Sequence, residues 1–268
     1  MTRRRLIRAA AGVLLALAAA SRSAGADLPE IQRRGTLRVL AVIDEKRPEF
    51  FQTKAGAAPG FDHEILDAFV KLHKLELEVV TLPAWDGLLP ALLAGRGDVI
   101  AGRFTVTESR RKQVSFTREV FPTRNVVITR RPTAPIADLA RLRAEKVGTI
   151  KGTSMAEAVA AAGVPASNVD DGLTPGSFGD ALRQGRVSAA VWGIESAIAL
   201  RKDDPEIELG MFLGAPGSLA YAVRKDEPEL LRALDDYIEN LRRTTTWSRL
   251  VVKYFGQAAP EILKKARE

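Results

Sequence analysis

An arginine in the first turn of a helix is an unusual placement of charge, and Arg110 is predicted to occupy one. Thr107 has the character of an N-cap, which puts Arg110 at about the third residue of the helix it starts. A cation there meets the positive end of the helix dipole at a cost of about 0.3–1 kcal/mol. Such a placement points to a task, and a planar guanidinium suits the two-pronged grip of a carboxylate. The same spacing also fits a solvated surface arginine. A second candidate is Gly152-Thr153-Ser154, between a strand pattern and a helix pattern. Backbone N–H groups and hydroxyls before a helix N-terminus attract anions; an ordinary N-cap is the competing reading. Other chemistry is thin. His63 and His73 fall on an amphipathic helix pattern and read as surface residues. The chain has no cysteine, which excludes disulfides, thiolate metal sites, cysteine nucleophiles and a lipid-anchoring cysteine. It also lacks G-x-S-x-G, a metal-ligand cluster and a phosphate-binding glycine loop, so no metal or cofactor is expected.

The elements that must position these residues alternate between strand and helix periods, the signature of an α/β architecture with largely parallel sheets. Thr36 to Val42 is a β-rich run, and Phe61, Ile65, Phe69 and Leu72 repeat at helical spacing. Leu75, Leu77 and Val79 alternate as a strand, Leu88 to Leu93 return to helix before Gly95, and a short strand spans Asp98 to Ala101. The second half repeats the theme: strands at Lys146 to Ile150, Ala189 to Trp192 and Leu219 to Val223, with helices at Met155 to Ala162 and Phe178 to Gln184. A long amphipathic helix through Leu230, Leu234, Ile238 and Leu241 follows. Extended segments near Asn125 to Thr129 and Pro216 to Leu219 are expected to join two α/β units.

Residues 1–26 read as a secretory signal: Arg3, Arg4, Arg5 and Arg8, an apolar run from Ala9 to Ala20, then Ala24-Gly25-Ala26 as a cleavage site. Thr2 to Arg8 also resembles a twin-arginine export signal. The formal charge of +7 suggests an anionic partner until this segment is set aside. It holds five basic residues and no acid, leaving 35 basic and 33 acidic residues and a net charge of +2. Nucleic-acid binding thereby loses its compositional support. No later stretch has the roughly 20 apolar residues of a membrane helix.

Several fragments, taken in order, carry a resemblance to a known family. They run from Ile31-x-x-x-Gly35-Thr36-Leu37-Arg38-Val39 through Gly60-Phe61-Asp62, Trp85-Asp86-Gly87-Leu88-Leu89-Pro90-Ala91-Leu92 and Gly95-Arg96-Gly97-Asp98-Val99-Ile100. Thr105-Val106-Thr107-Glu108-Ser109-Arg110, Val114-Ser115-Phe116-Thr117, Val147-Gly148-x-x-Lys151-Gly152-Thr153-Ser154, Tyr221-Ala222-Val223-Arg224-Lys225 and Lys253-Tyr254-Phe255-Gly256 continue it. Together they resemble the polar amino-acid type of periplasmic solute-binding protein serving ABC importers, the extracellular solute-binding proteins of family 3. The resemblance implies a bilobal periplasmic-binding-protein fold, lobe 1 from residues 27–124 with 218–268 and lobe 2 from residues 125–217. A small carboxylate ligand would close the cleft, and an inner-membrane ABC permease would read the closed form. It also implies a periplasmic, monomeric protein without a lipid anchor.

Carried over by resemblance, Arg110 clamps the ligand's carboxylate, Thr153 and Ser154 meet it from lobe 2, Thr105 contacts it, and Trp85 forms an aromatic wall. Phe50 and Phe51 are candidates for the facing wall. Two positions depart from the family pattern. The usual second-lobe aspartate, partner of an α-ammonium, is replaced by Gly193, with Glu195 two residues on as a substitute or a solvent-facing residue. Arg103 stands where the family has glycine or serine, either within reach of the ligand's amino end or turned to solvent or Glu108. Losing a carboxylate and gaining a guanidinium favours an organic anion over a standard α-amino acid. The expectation is a binding protein and not an enzyme. A dehydratase acting on prephenate-like dicarboxylates is the enzymatic rival, needing a general acid such as Glu195, Glu64 or Asp86; a sensory binding protein is another.

Overall fold

Strand and helix periods translate into two α/β layers in the computed structural model, which describes residues 27–52 and 54–268. The export segment expected at residues 1–26 lies outside the described residues. The strands are β1 (Thr36–Ala41), β2 (Glu76–Thr81), β3 (Val99–Ile100), β4 (Ser115–Phe116), β5 (Phe121–Arg130), β6 (Val147–Gly148), β7 (Val169–Asp170), β8 (Ala189–Gly193), β9 (Ile207–Leu219) and β10 (Ala222–Val223). The helices are α1 (Leu28–Arg34), α2 (Phe61–Leu72), α3 (Leu88–Leu93), α4 (Glu108–Arg111), α5 (Leu139–Ala144), α6 (Ser154–Ala161), α7 (Phe178–Arg183), α8 (Ile194–Asp203), α9 (Pro228–Arg243), α10 (Thr245–Phe255) and α11 (Ala259–Arg267).

The strands form two five-stranded sheets, β2-β1-β3-β10-β4 and β7-β6-β8-β5-β9. In the first, β1 is parallel to β2 and β3, while β10 runs antiparallel to β3 and β4. In the second, β6 is parallel to β7 and β8, while β5 is antiparallel to β8 and β9. The sheets are thus less purely parallel than the alternation of periods predicts. The reason is that β5 and β10 each enter from the neighbouring sheet, and β9 runs out towards it, so these strands meet their partners from the opposite end. Leu219 to Val223, predicted as one strand, divides: Leu219 ends β9 and Ala222 begins β10.

The chain crosses from the first sheet to the second at residues 117–120 and returns at residues 220–221. The two crossings lie side by side, Thr117 N–H donating to Tyr221 O at 2.9 Å and Val120 N–H to Leu219 O at 2.9 Å. Both segments predicted as joining stretches lie inside β5 and β9.

Helix α2 shows how local pattern becomes packing. Phe61, Ile65, Leu66, Phe69 and Val70 recur at helical spacing and all are buried. Phe61 meets Phe50, Phe121 and Phe255 edge-on or tilted in one aromatic cluster beside the crossing strands. Among the described residues no helix is long and apolar enough to cross a membrane.

Candidate functional site

One cavity, enclosing about 420 Å³ including its mouth, gathers residues from both lobes. All seven residues singled out from sequence line it: Trp85, Arg103, Thr105 and Arg110 from the side of the first sheet, and Thr153, Ser154 and Glu195 from that of the second. Thr123, Asn125 and Trp192 join them, and sequence reasoning missed all three.

Arg110 is placed by the predicted device. Thr107 caps α4 and accepts the Arg110 N–H at 3.3 Å, so the arginine rises from the helix's first turn. Its guanidinium is buried over the Phe104 ring, 4.2 Å from the centroid. Nη1 donates to Thr105 O at 2.8 Å and Nη2 crosses to Gly152 O at 3.2 Å. Burial pulls its pKa below the ordinary arginine value, with Glu157 acting against this from a distance. A buried cation bonded to neutral carbonyls is a receptor for an anion.

Gly152-Thr153-Ser154 resolves into two roles. The Thr153 side chain is an N-cap: its hydroxyl donates to Ile150 O at 2.5 Å and accepts Ala156 N–H at 3.4 Å. What the turn offers the cavity is therefore backbone polarity and Ser154, whose Oγ donates to Thr105 Oγ1 at 3.0 Å across the cleft.

Arg103 turns neither to solvent nor to Glu108. It sits at φ +68° directly after Gly102 at φ +79°. A non-glycine residue there costs about 1–2 kcal/mol. Buried Asp62 braces this turn, accepting Gly102 N–H at 2.9 Å, the Arg103 N–H, and the Tyr221 hydroxyl at 2.9 Å. Burial pushes the Asp62 carboxyl up to about 7 despite these bonds. The Arg103 guanidinium lies 5.5 Å from the Trp85 ring centroid and 5.7 Å from that of Phe50. Its Nε and Nη1 are shut off from solvent and find no hydrogen-bond partner, and the indole Nε1 of Trp85 shares that condition.

Phe50 and Phe51 are not the facing wall. Phe50 belongs to the aromatic cluster, and Phe51 covers the backbone of Gly102, where a Cβ would come within 3.0 Å of its ring. They pack against the bend at residues 102–103, Phe51 on Gly102 and Phe50 near the Arg103 guanidinium. The second indole in the cavity is Trp192, stacked on Phe178 at 4.1 Å. Its signal in the sequence was its place at the end of a strand, immediately before the departure at Gly193.

Gly193 and Glu195 act as one position. A Cβ built on Gly193 would stand 2.2 Å from Glu195 Oε1 and 2.9 Å from Oε2. The carboxyl of Glu195, projecting back from the first turn of α8, thus fills the space a side chain at 193 would occupy. It accepts the Thr123 hydroxyl at 2.6 Å. Burial raises its pKa against that bond and against the attraction of Arg103. The carboxylate that the sequence seemed to have lost is present, displaced by two residues. The other acid candidates are elsewhere: Glu64 is bonded to Lys253 and Tyr254 on the far surface, and Asp86 is exposed. His73 stacks on Phe69, 4.5 Å between centroids, and His63 lies against Phe51, so neither joins the cavity.

Known proteins are similar to this chain over most of its length. The L-cystine-binding protein TcyJ of Escherichia coli K12 is 29% identical over 236 residues, covering 85% of this chain and 86% of that protein. The solved structure of holo ArgBP from T. maritima superposes with a TM-score of 0.72 at 26% identity, covering 85% of this chain and 99% of that one. An ancestral amino acid-binding protein described as a precursor of cyclohexadienyl dehydratase gives a TM-score of 0.76 at 27% identity, covering 85% and 98%. The two sheets are accordingly the two lobes of a bilobal type II periplasmic-binding-protein fold. With residues 39–257 matching the family description, the chain belongs to the bacterial extracellular solute-binding proteins, family 3.

Proposed function

We propose that this protein captures a small, negatively charged organic ligand through a carboxylate, between lobes formed by residues 27–124 with 218–268 and by residues 125–217. It then presents the closed form to an ABC permease from the periplasm, acting as a monomer. The observation that carries this is Arg110, a buried guanidinium facing the shared cavity with carbonyl oxygens as its only hydrogen-bond acceptors among the described residues. Trp85, Arg103, Thr105, Thr153, Ser154 and Glu195 complete the contact set. Two cations against one carboxyl of raised pKa favour an organic anion over a neutral zwitterion, since buried charges are tolerated when paired. Mass spectrometry of the small molecule that copurifies, followed by calorimetry with Arg110→Met, tests the reading. A carboxylic acid whose binding the variant loses supports it; an uncharged molecule, or one bound equally by the variant, refutes it.

Glu195 favours one second reading. A buried carboxyl whose pKa is raised by burial is what a general acid requires, and a dehydratase-like enzyme would use it on a prephenate-like substrate. Loss of prephenate over time, abolished in Glu195→Gln, would establish that activity; no turnover leaves the binding function.

A further inference from the structure

Arg103 combines two features that a glycine would remove. Its backbone is held at φ +68°, and its buried Nε and Nη1 make no hydrogen bond. Unfavourable conformations and unmet donors persist where they serve a site. Here the site is defined by what surrounds the guanidinium: the Trp85 ring on one side, Phe50 on another, and the cavity that Arg103 and Trp85 both line. Trp85 adds a third unmet donor, its buried indole N–H. Three donors that no protein group meets describe a receptor for an acceptor-rich group.

We infer that the ligand carries two carboxylates, the first held at Arg110 and the second received by Arg103 with the indole N–H of Trp85. This rests on the reading of the cleft as a carboxylate site at Arg110. The charge count supports it. The cavity lining contributes Arg103, Arg110 and Glu195. An amino acid with one carboxylate would bring three cations together with two carboxylates. A plain dicarboxylate balances two guanidinium groups when Glu195 holds a proton. A dicarboxylic amino acid balances all three cations when Glu195 is ionised. Both share the second carboxylate, and Glu195 separates them, because only the amino form needs its charge.

Calorimetry on the ligand-stripped full chain with succinate, glutarate and adipate, each against its monocarboxylate of equal length, and with L-glutamate against L-glutamine, tests this. The dicarboxylates should bind at least about 30-fold tighter than their single-carboxylate counterparts. Arg103→Gly relieves the backbone and should fold with an equal or higher melting temperature, while the ratio falls below about 3-fold. Glu195→Gln should lower the affinity for L-glutamate relative to that for glutarate, because only the amino form needs the charge of Glu195. Butyrate or L-glutamine binding as tightly as its dicarboxylate partner would overturn the inference, and so would a ratio that survives in Arg103→Gly. In those cases Arg110→Met still reports on the cleft itself: single-carboxylate binding lost in that variant leaves the carboxylate reading standing. Absence of binding by every probe would count against both.

Discussion

Arg110 and Arg103 differ in how much of their hydrogen-bonding capacity the protein itself uses. Arg110 spends two donors on Thr105 O and Gly152 O, which fix the plane of its guanidinium before any ligand arrives. Geometry is therefore part of its contribution, and Arg110→Lys should lower affinity about 100-fold in a calorimetric titration, because an ammonium keeps the charge and loses the fork. Retention of affinity in that variant would mean that charge alone suffices. Glu195 illustrates a different economy of structure: its longer side chain reaches back from α8 to where a side chain at 193 would begin, so one acidic position has moved without leaving the cavity. The sequence left that relation open, offering Glu195 either as a substitute for the carboxylate missing at Gly193 or as a solvent-facing residue. Counting residues along the chain records spacing, and spacing does not report the direction of a side chain at a strand-to-helix corner.

Among the elements, the bend between β3 and α4 matters most, because it carries Arg103 and Thr105 and leads into the helix that bears Arg110. Asp62, on α2, holds that bend from below through two backbone N–H groups and Tyr221. Its folded-state pKa of about 7 stands above the ordinary carboxyl value of 3.8 that an unfolded chain would show. The folded state therefore binds the extra proton between these values, so this group's stabilisation is fully present below about pH 4 and is lost as pH rises through about 7. Thermal melts of wild-type protein and Asp62→Asn across that range should show a shallower decline in the variant. An unchanged slope would place the titration elsewhere, for example at Glu227, which burial also raises to about 7. The Gly60-Phe61-Asp62 motif was legible as one fragment of the family resemblance, but its purpose as the brace of Arg103 depends on two elements 40 residues apart meeting in space.

At the scale of the whole molecule, the lobes touch through polar latches. Asp44 accepts Gly176 N–H at 2.8 Å, Arg47 pairs with Asp203 at 2.8 Å, and Ser154 meets Thr105. The lobes also approach closely at Gly152, φ +74°, where a Cβ would come within 2.9 Å of Asp86 N and Cβ. Gly152→Ala should therefore prop the cleft open and weaken binding about 10- to 100-fold, since only the closed fraction grips the ligand. Small-angle scattering should find no ligand-induced compaction in the variant; a wild-type decrease in radius of gyration would exclude the idea.

The alternating periods by themselves determined the α/β class and most element positions, because apolar spacing and capping chemistry are local properties; the seven cavity residues came from the family resemblance and the two departures from it. What only tertiary structure decided is everything that depends on approach from another part of the chain. The antiparallel β5 and β9 crossings, the packing of Phe50 and Phe51 against the bend at residues 102–103, the entry of Trp192 and the return of a carboxylate at Glu195 are all of that kind. Burial, the charges facing a group and the direction of a side chain arise when distant segments close on one another, and those quantities set what the cavity can hold.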